Sequence, residues 1–533
     1  MPPPTALAPL RHPIFRLLWL ANLASNIGLW VQNTGAGWLM TTLDPSPLMV
    51  SLVQAASMLP VFLLALPAGA LADILERRLF LLLVQGWLAA VAIPLALLDA
   101  GGLLGPWGLI ALTFALGAGL AASFPGWAAT TAELVPREDL VGAIALNGIG
   151  FNIARAVGPA LGGLIIASLG TAAAFAFNAL CIAALALALL AWRRRTPKPA
   201  LPAESFLSAM RAGLRFVSAA PAIRNAILRA CVFFLFGAAV WGLMPLLVRQ
   251  GLGLGPQAFG LILGTMGAGA VAAGFIMPYL RPLTDRSGMV LGASLLSCLA
   301  LALIGLAVPS GIGWPLAVIG IFLFGMCWLA GASTLQTAAS LAAPGWVRAR
   351  ALGIYQMCFF GAMTVGAVAS GWLGERIGVS GALVAFALLG AAAAVAVRGR
   401  SLDAEAEMPP LPQAPILSPK PEAPELRALL EAGSGRVLEV VRYTVAAEDR
   451  AAFLAHMEKV RRARLRAGAL IWRLYENVAE PERFVELWLV ESWTEHLREA
   501  GRMTETDRAL IAAALAFDRS PTGAEAARYV NLL

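Results

Sequence analysis

Apolar runs of 18 or more residues recur from about residue 14 to residue 398, separated by short polar turns. Twelve can be distinguished, at roughly 14–42, 47–72, 79–99, 105–132, 141–168, 171–192, 225–249, 256–280, 288–309, 314–342, 351–375 and 380–398. Each is long enough to cross a hydrocarbon core of about 30 Å. Backbone groups in lipid must pair within the protein, so these runs predict helices, numbered here as spans 1 to 12. The expected fold is an all-α polytopic membrane protein in two six-helix halves. Met1 to Pro13 is Pro-rich and polar, without a small-residue cleavage site after a short apolar core. Span 1 is therefore expected to be retained rather than removed.

The pattern breaks twice. Residues 193–224 form a basic loop with an amphipathic stretch (Phe206, Met210, Leu214, Phe216) between an N-terminal half, 1–192, and a second half, 225–398. Residues 399–424 carry seven prolines and read as an extended, semi-rigid linker. Beyond it, residues 425–533 are far more polar and form a separate domain. There Val437 to Val445, Leu470 to Glu476 and Phe484 to Glu491 read as strands. Ala447 to Arg466 reads as a helix, Ser492 to Glu495 as a capping box opening another, and Asp507 to Phe517 as a last helix. Residues 518–533 give no clear signal.

Composition sharpens the membrane reading. The chain is 59% hydrophobic and 13% charged, with a mean hydropathy of +0.76, against about 25% charged residues in soluble proteins. The net charge of +8 does not point to nucleic acid, because its placement alternates. Basic residues gather at Arg11 and Arg16, Arg77 and Arg78, Arg137, Arg193 to Lys198, Arg281 and Arg286, Arg348 and Arg350, and Arg398 and Arg400. The opposite loops carry only Arg249 and Arg376. This positive-inside bias predicts a multi-pass protein of the cell (inner or plasma) membrane with both termini cytoplasmic. The five cysteines lie in apolar spans without paired spacing and are expected to be free thiols, with no metal site.

A weak internal repeat supports duplication. An offset of 208 aligns Pro136 with Pro344, Ala143 with Ala351, Gly158 with Gly366 and Gly163 with Gly371. Parallel six-helix repeats are a transporter design in which one half rocks against the other.

Two motifs carry a resemblance. Gly69-Ala70-Leu71-Ala72-Asp73, followed by Arg77-Arg78, is similar to the signature loop of the major facilitator superfamily. Gly69 permits close helix packing, and Asp73 can accept hydrogen bonds from a helix N-terminus or an arginine across the bundle. That pair would hold the cytoplasmic side shut, unless the turn is simply solvated. Gly158-Pro159-Ala160-Leu161-Gly162-Gly163 in span 5 resembles the Gly-Pro-x-x-Gly-Gly motif of exporters in that superfamily, although Ala154 stands where a further glycine is usual. A longer stretch resembles the transmembrane secretion effector branch: Glu133-Leu134-Val135-Pro136, Ala145-Leu146-Asn147, Asn152, Ala154-Arg155 and Gly158-Pro159. That branch includes an enterobactin exporter and macrolide efflux proteins. The resemblance covers most of the chain and implies export of a sizeable organic molecule, such as a siderophore or a drug-like compound.

Polar residues inside spans are costly and so are candidates for function. Asn22, Asn26, Trp30 and Asn33 fall within about 80° of one another on span 1. They suit a polyfunctional, aromatic ligand, or else serve as interhelical hydrogen-bond partners. Trp127, Asn147, Phe234, Trp241, Trp328 and Gln336 are further cavity candidates. Arg155 and Arg229 are the intramembrane cations, able to face an anionic substrate or to pair with Glu133 or Asp73. Arg229 could also snorkel to the interface.

Coupling is less legible. No acidic residue stands clearly at mid-membrane, and His12, His456 and His496 all lie outside the spans. Asp44 and Glu133 are the coupling candidates, and a proton as coupling ion is implied by the resemblance. No Gly-x-x-x-x-Gly-Lys-Ser/Thr loop exists, so no nucleotide or other cofactor is expected.

The C-terminal βαββα order, with Trp493 to Arg498 at a helix start, resembles the ferredoxin-like dimeric α/β barrel of small monooxygenases. Such folds support many roles, including self-association. The expectation is a secondary exporter working by alternating access, not an enzyme. The competing readings are a membrane-tethered monooxygenase-like enzyme and a non-transporting sensor; import is a lesser variant.

Overall fold

The computed structural model describes residues 7–136, 138–192, 206–344, 347–402, 435–493, 495–496, 499, 503, 505–521 and 523–531. Most of the Pro-rich linker and the Arg193 to Lys198 cluster lie outside these residues, as do the side-chain surroundings of Gly69 and Asp73. The chain divides into two compact units, drawn from Met1–Pro202, Ile227–Gln336 and Tyr355–Ser401, and from Ala203–Ala226, Thr337–Ile354 and Leu402–Leu533.

The first unit is a helical bundle. Its first half holds α1 (Pro13–Leu43), α2 (Pro47–Ile74), α3 (Arg77–Ala100), α4 (Pro106–Leu134), α5 (Leu140–Leu169) and α6 (Thr171–Ala191). After α7 (Phe206–Ala219), α8 (Pro221–Leu246), α9 (Pro256–Leu280), α10 (Arg286–Leu306), α11 (Trp314–Leu341) and α12 (Arg348–Ala396) follow. Among the described residues, 11 helices are long and apolar enough to cross a membrane. Gly378, with φ 78° and ψ 162°, breaks α12 into two, so the twelve expected spans are all present. Only glycine adopts this backbone without strain, and the helix breaks there. Gly170 (φ 84°) does the same between α5 and α6.

Helix starts follow the sequence. Helices α1, α2, α4 and α9 open on proline, which gives up an N–H that would otherwise be unpaired. The Ser46 hydroxyl caps α2 by accepting from the Met49 N–H at 3.3 Å. Glu76 caps α3, accepting from the N–H groups of Arg78 and Leu79. Its carboxylate therefore does defined work at the turn rather than being merely solvated.

The internal repeat has a structural counterpart. A Cβ on Gly163 would lie 2.5 Å from the carbonyl oxygen of Pro256, the first residue of α9. A Cβ on Gly371 would lie 2.9 Å from the carbonyl oxygen of Pro47, the first residue of α2. The two sequence-equivalent glycines thus touch the first residue of the equivalent helix in the opposite half, as a pseudo-twofold requires.

The second unit contains α7, packed on the C-terminal domain through α13 (Arg450–Ala467). A Cβ on Gly213 of α7 would meet Arg350 Cβ at the start of α12 at 3.0 Å. The domain's sheet comprises β1 (Val437–Thr444), β2 (Ile471–Glu476), β3 (Arg483–Val490) and β4 (Glu525–Val530), with α14 (Glu505–Leu515) before β4. The order β2-β3-β1-β4 is antiparallel throughout, the ferredoxin-like arrangement. Strand β4 lies within residues 518–533, which carry no clear signal in sequence. It is short and lacks a clean apolar alternation, and pairing with β1 in the register Val437↔Val530 defines it.

The domain's helix-side core holds Val441, Tyr443, Phe453, Phe484 and Trp488. Buried among them is a charged network: Arg464 Nε donates to Glu486 at 3.2 Å and Arg464 Nη1 to Glu499 at 3.4 Å. Glu486 also accepts from Tyr443 Oη at 2.8 Å and Trp472 Nε1 at 2.9 Å. His496 pairs with Glu439 and is neither solvated nor a plain core residue.

Candidate functional site

Two sizeable cavities lie in the helical bundle among the described residues. The first, of about 180 Å³, lies between the halves and is lined by residues of α1, α2, α4, α5, α8, α9, α11 and α12. The second, of about 470 Å³, lies within the first half. Leu29, Leu120, Phe124 and Phe151 line both, so they are adjacent compartments with a shared wall.

The span 1 stripe divides between them. Asn22 and Asn26 line the second cavity, Trp30 and Asn33 the first. Trp127 and Asn147 line the second, and Trp241 and Trp328 the first. Asn147 donates to the Thr131 hydroxyl at 2.9 Å, and Asn26 to the Asn22 carbonyl at 2.8 Å. Each amide therefore keeps one polar end free of that bond. Phe234 and Gln336 are not among the lining residues of either cavity. Phe234 is instead buried behind Trp328, with ring centroids 5.2 Å apart.

An aromatic wall runs through the first cavity. Trp30 meets Trp241 at 5.5 Å and Phe151 at 6.4 Å, and Trp241 meets Trp328 at 6.0 Å. The span 5 glycines position it. A Cβ on Gly158 would lie 2.4 Å from Trp30 Cβ, so only glycine there lets the indole seat against α5. Gly162 packs less tightly on α1, where a Cβ would stand 3.2 Å from Thr34 Cβ and from Val31 Cα.

Among the described lining residues of both cavities, Arg155 is the only charged one. Its guanidinium sits 5.9 Å from the Phe151 ring centroid. Phe151 was not anticipated from sequence, although it stands four residues before Arg155 and so shares its helix face. Gln85 and Asn178, which line the second cavity, are intramembrane amides that the polar-in-span criterion equally marks.

The bundle ends differ. At one end Arg77 pairs with Glu133 between α3 and α4, and Arg78 donates to the carbonyls of Leu189 (3.0 Å) and Leu190 (2.9 Å) at the end of α6. A cation there complements the helix dipole. At the other end the halves are joined. Arg249 donates to the hydroxyls of Thr41, at 2.9 Å, and Thr42, and Ser46 donates to Glu375 at 2.6 Å. Asp44 accepts from the Ser46 N–H at 3.0 Å and shapes that turn. Arg229 donates to the Ser287 carbonyl at 2.8 Å and the Arg400 carbonyl at 3.4 Å.

The model of the transmembrane secretion effector family matches residues 4–532. The chain belongs to that family. The family's whole match extends through the C-terminal domain, whose own role it does not specify. This transmembrane secretion effector is 28% identical to the enterobactin exporter EntS of Shigella flexneri over 334 residues, 61% of this chain and 75% of that one. It is 34% identical to the multidrug efflux pump Tap of Mycobacterium tuberculosis over 224 residues, 39% of this chain and 51% of that one. Among solved structures, a bacterial homologue of the lysosomal transporter Spinster, inward-facing and unoccupied, aligns with TM-score 0.61 at 14% identity, covering 74% of this chain and 98% of that one. The nucleoside transporter NupG aligns with TM-score 0.57 at 14% identity, covering 73% and 98%. At such identities the likeness shows the fold alone, that of major facilitator transporters. The chain is a multi-pass membrane transporter of small molecules in the lipid bilayer, and its relatives are transporters rather than enzymes.

Proposed function

We propose that this transmembrane secretion effector exports a small organic molecule, of siderophore or drug-like size, from the cytoplasm by alternating access. The observation that carries the reading is the central cavity between the halves, flanked by a polar compartment in the first half. The joined end bears Arg249 and Glu375, and the alternation of basic loops assigns it to the outside, with both termini cytoplasmic. The structure is then closed outward, and loading occurs from the cytoplasm or inner leaflet of the cell membrane. Release follows when the Arg249–Thr41 and Ser46–Glu375 contacts break and the opposite end closes over the Asp73 turn.

The proton, as coupling ion, is assigned to Glu133 rather than Asp44. Protonating Glu133 would dissolve its pair with Arg77, whereas Asp44 only shapes a turn. In the C-terminal domain the sheet face away from the helices carries Ile471, Tyr475 and Tyr529, each about half exposed. Self-association through that apolar face accounts for it better than catalysis does.

The test is accumulation in growing cells. Cells expressing the chain should hold less of a fluorescent efflux substrate than cells expressing the Gly163→Leu variant at equal membrane abundance. Equal accumulation for every probe would count against export and favour the sensor reading.

A further inference from the structure

We propose that Arg155, with the indole N–H groups of Trp30 and Trp241, forms the recognition site for an organic anion joined to an aromatic ring. The site deepens the exporter reading by naming the class of cargo, and it would bind such anions even if the chain moved nothing.

The argument begins with an imbalance of donors and acceptors. Arg155 Nε, Trp30 Nε1 and Trp241 Nε1 are all buried without a hydrogen-bond partner, and all three residues line the central cavity. Tryptophan and arginine side chains can only donate, and arginine cannot shed its proton to escape burial. A buried cation without a partner is among the costliest features a bundle can carry. A protein that kept Arg155 for packing would be expected to satisfy it internally. Three other bundle arginines show how: Arg78 and Arg229 reach backbone carbonyls, and Arg249 reaches two hydroxyls. Arg155 makes no hydrogen bond or ion pair among the described residues, and its guanidinium lies over the Phe151 ring. What is missing is an acceptor, and the cavity is where it fits.

The walls define the rest of the ligand. Trp30, Phe151, Trp241 and Trp328 offer ring faces and edges within the cavity that Arg155 also lines, which favours a planar aromatic body over an aliphatic one. A forked guanidinium prefers paired anionic oxygens such as a carboxylate, a sulfonate or adjacent phenolates. No described lining residue carries a negative charge, so the formal charge that the described lining offers a ligand is the positive one of Arg155.

The matched probes are 1-anilinonaphthalene-8-sulfonate and N-phenyl-1-naphthylamine, which share their rings and differ only in the sulfonate. Binding to the detergent-solubilised full chain is read by tryptophan quenching, with protein-free micelles subtracted. The wild type should prefer the sulfonate at least tenfold. The preference should fall toward one in Arg155→Gln, survive in part in Arg155→Lys, and weaken severalfold in Trp30→Phe, which keeps a ring and removes the N–H. Equal affinity of the wild type for both probes, or a preference unchanged in Arg155→Gln, would overturn the site. If a variant fails to fold, the wild-type preference and the Trp30→Phe ratio decide. Transport of the same probes into inside-out vesicles is scored separately. Arginine-dependent binding with no transport would leave the anion site standing and remove the exporter reading. Transport of the neutral probe alone would do the reverse.

Discussion

Arg249 donates its hydrogen bond to Thr41, the residue standing 208 positions before it. That separation is the offset of the internal repeat, so the contact joins equivalent positions of the two halves and lies beside their pseudo-twofold. The local backbone presents it. Pro245 sits near the end of α8, and the chain widens into a π-turn at Leu247–Gly251, with the Leu252 N–H bonding the Leu247 carbonyl at 2.9 Å. Arg249 projects from that turn over the Trp38 ring, 5.7 Å from its centroid.

Removing this latch should free the end of the bundle it closes. In Arg249→Ala, spin labels at Pro45→Cys and Gln250→Cys should show a longer-distance population that is minor in the parent. Identical distance distributions in the two proteins would mean that the contact holds nothing shut.

The α5–α9 seam is the second element of that closure. A Cβ on Gly163 would lie 2.8 Å from Gly260 Cα as well as 2.5 Å from the Pro256 carbonyl oxygen. Backbone atoms cannot yield as a flexible side chain can, and overpacking costs about 1–3 kcal/mol. Gly163→Leu should therefore insert normally yet lose transport at least tenfold. Its repeat partner Gly371→Leu should fail in the same manner, while a leucine at Gly148, where a Cβ meets nothing within 4 Å, should be tolerated. Initial rates at matched membrane abundance check all three.

Glu133→Gln removes the charge that Arg77 faces. If the proton acts there, the variant should still exchange substrate across the membrane but lose concentrative transport driven by an imposed pH gradient. Gradient-driven transport at the parental rate in Glu133→Gln would place the coupling elsewhere.

The C-terminal network makes a prediction in pH. Burial pushes the Glu499 carboxyl up to about 7, against the opposing pull of Arg464. For Glu439 burial acts in the same direction, but the hydrogen bond and charge of His496, with Arg464 and Arg528, outweigh it and hold the carboxyl below its ordinary range. A carboxyl that is protonated in the folded domain and ionised in the unfolded chain makes the fold bind more protons. Glu499 therefore lowers stability as pH rises from the ordinary carboxylate value to about 7, and adds no further slope above it. Hydrogen-exchange protection of β1 and β3 in the full chain, corrected for intrinsic rates, should fall from pH 5 to pH 7. Glu499→Gln should flatten that fall. Arg464→Met should cost about 3–5 kcal/mol, because it strands Glu486 without its cation.

Much of this was legible in the chain. Hydropathy placed every span, because lipid imposes one solution on an apolar run. The helix break at Gly378 was visible as the gap between spans 11 and 12. The stripe from Asn22 to Asn33 was legible because polar groups in lipid are conspicuous. What escaped were properties of pairs. Phe234 looks like a cavity aromatic but packs behind Trp328, since burial depth depends on neighbours that no periodicity encodes. Strand β4 is short and without a clean apolar alternation, and pairing with β1 gives it form. Arg249 reads as a loop charge until Thr41 is placed beside it by the fold. The partnerless state of Arg155 is likewise invisible in a sequence, where any distant residue could have satisfied it.

Uptake into inside-out vesicles bears most directly on the export claim. Vesicles carrying the wild-type chain would be offered a catecholate siderophore, a macrolide and 1-anilinonaphthalene-8-sulfonate, with and without a proton gradient. Gradient-dependent accumulation of at least one compound, lost in Gly163→Leu vesicles, is the predicted result. Correctly inserted protein that accumulates none of them under either condition would contradict the account.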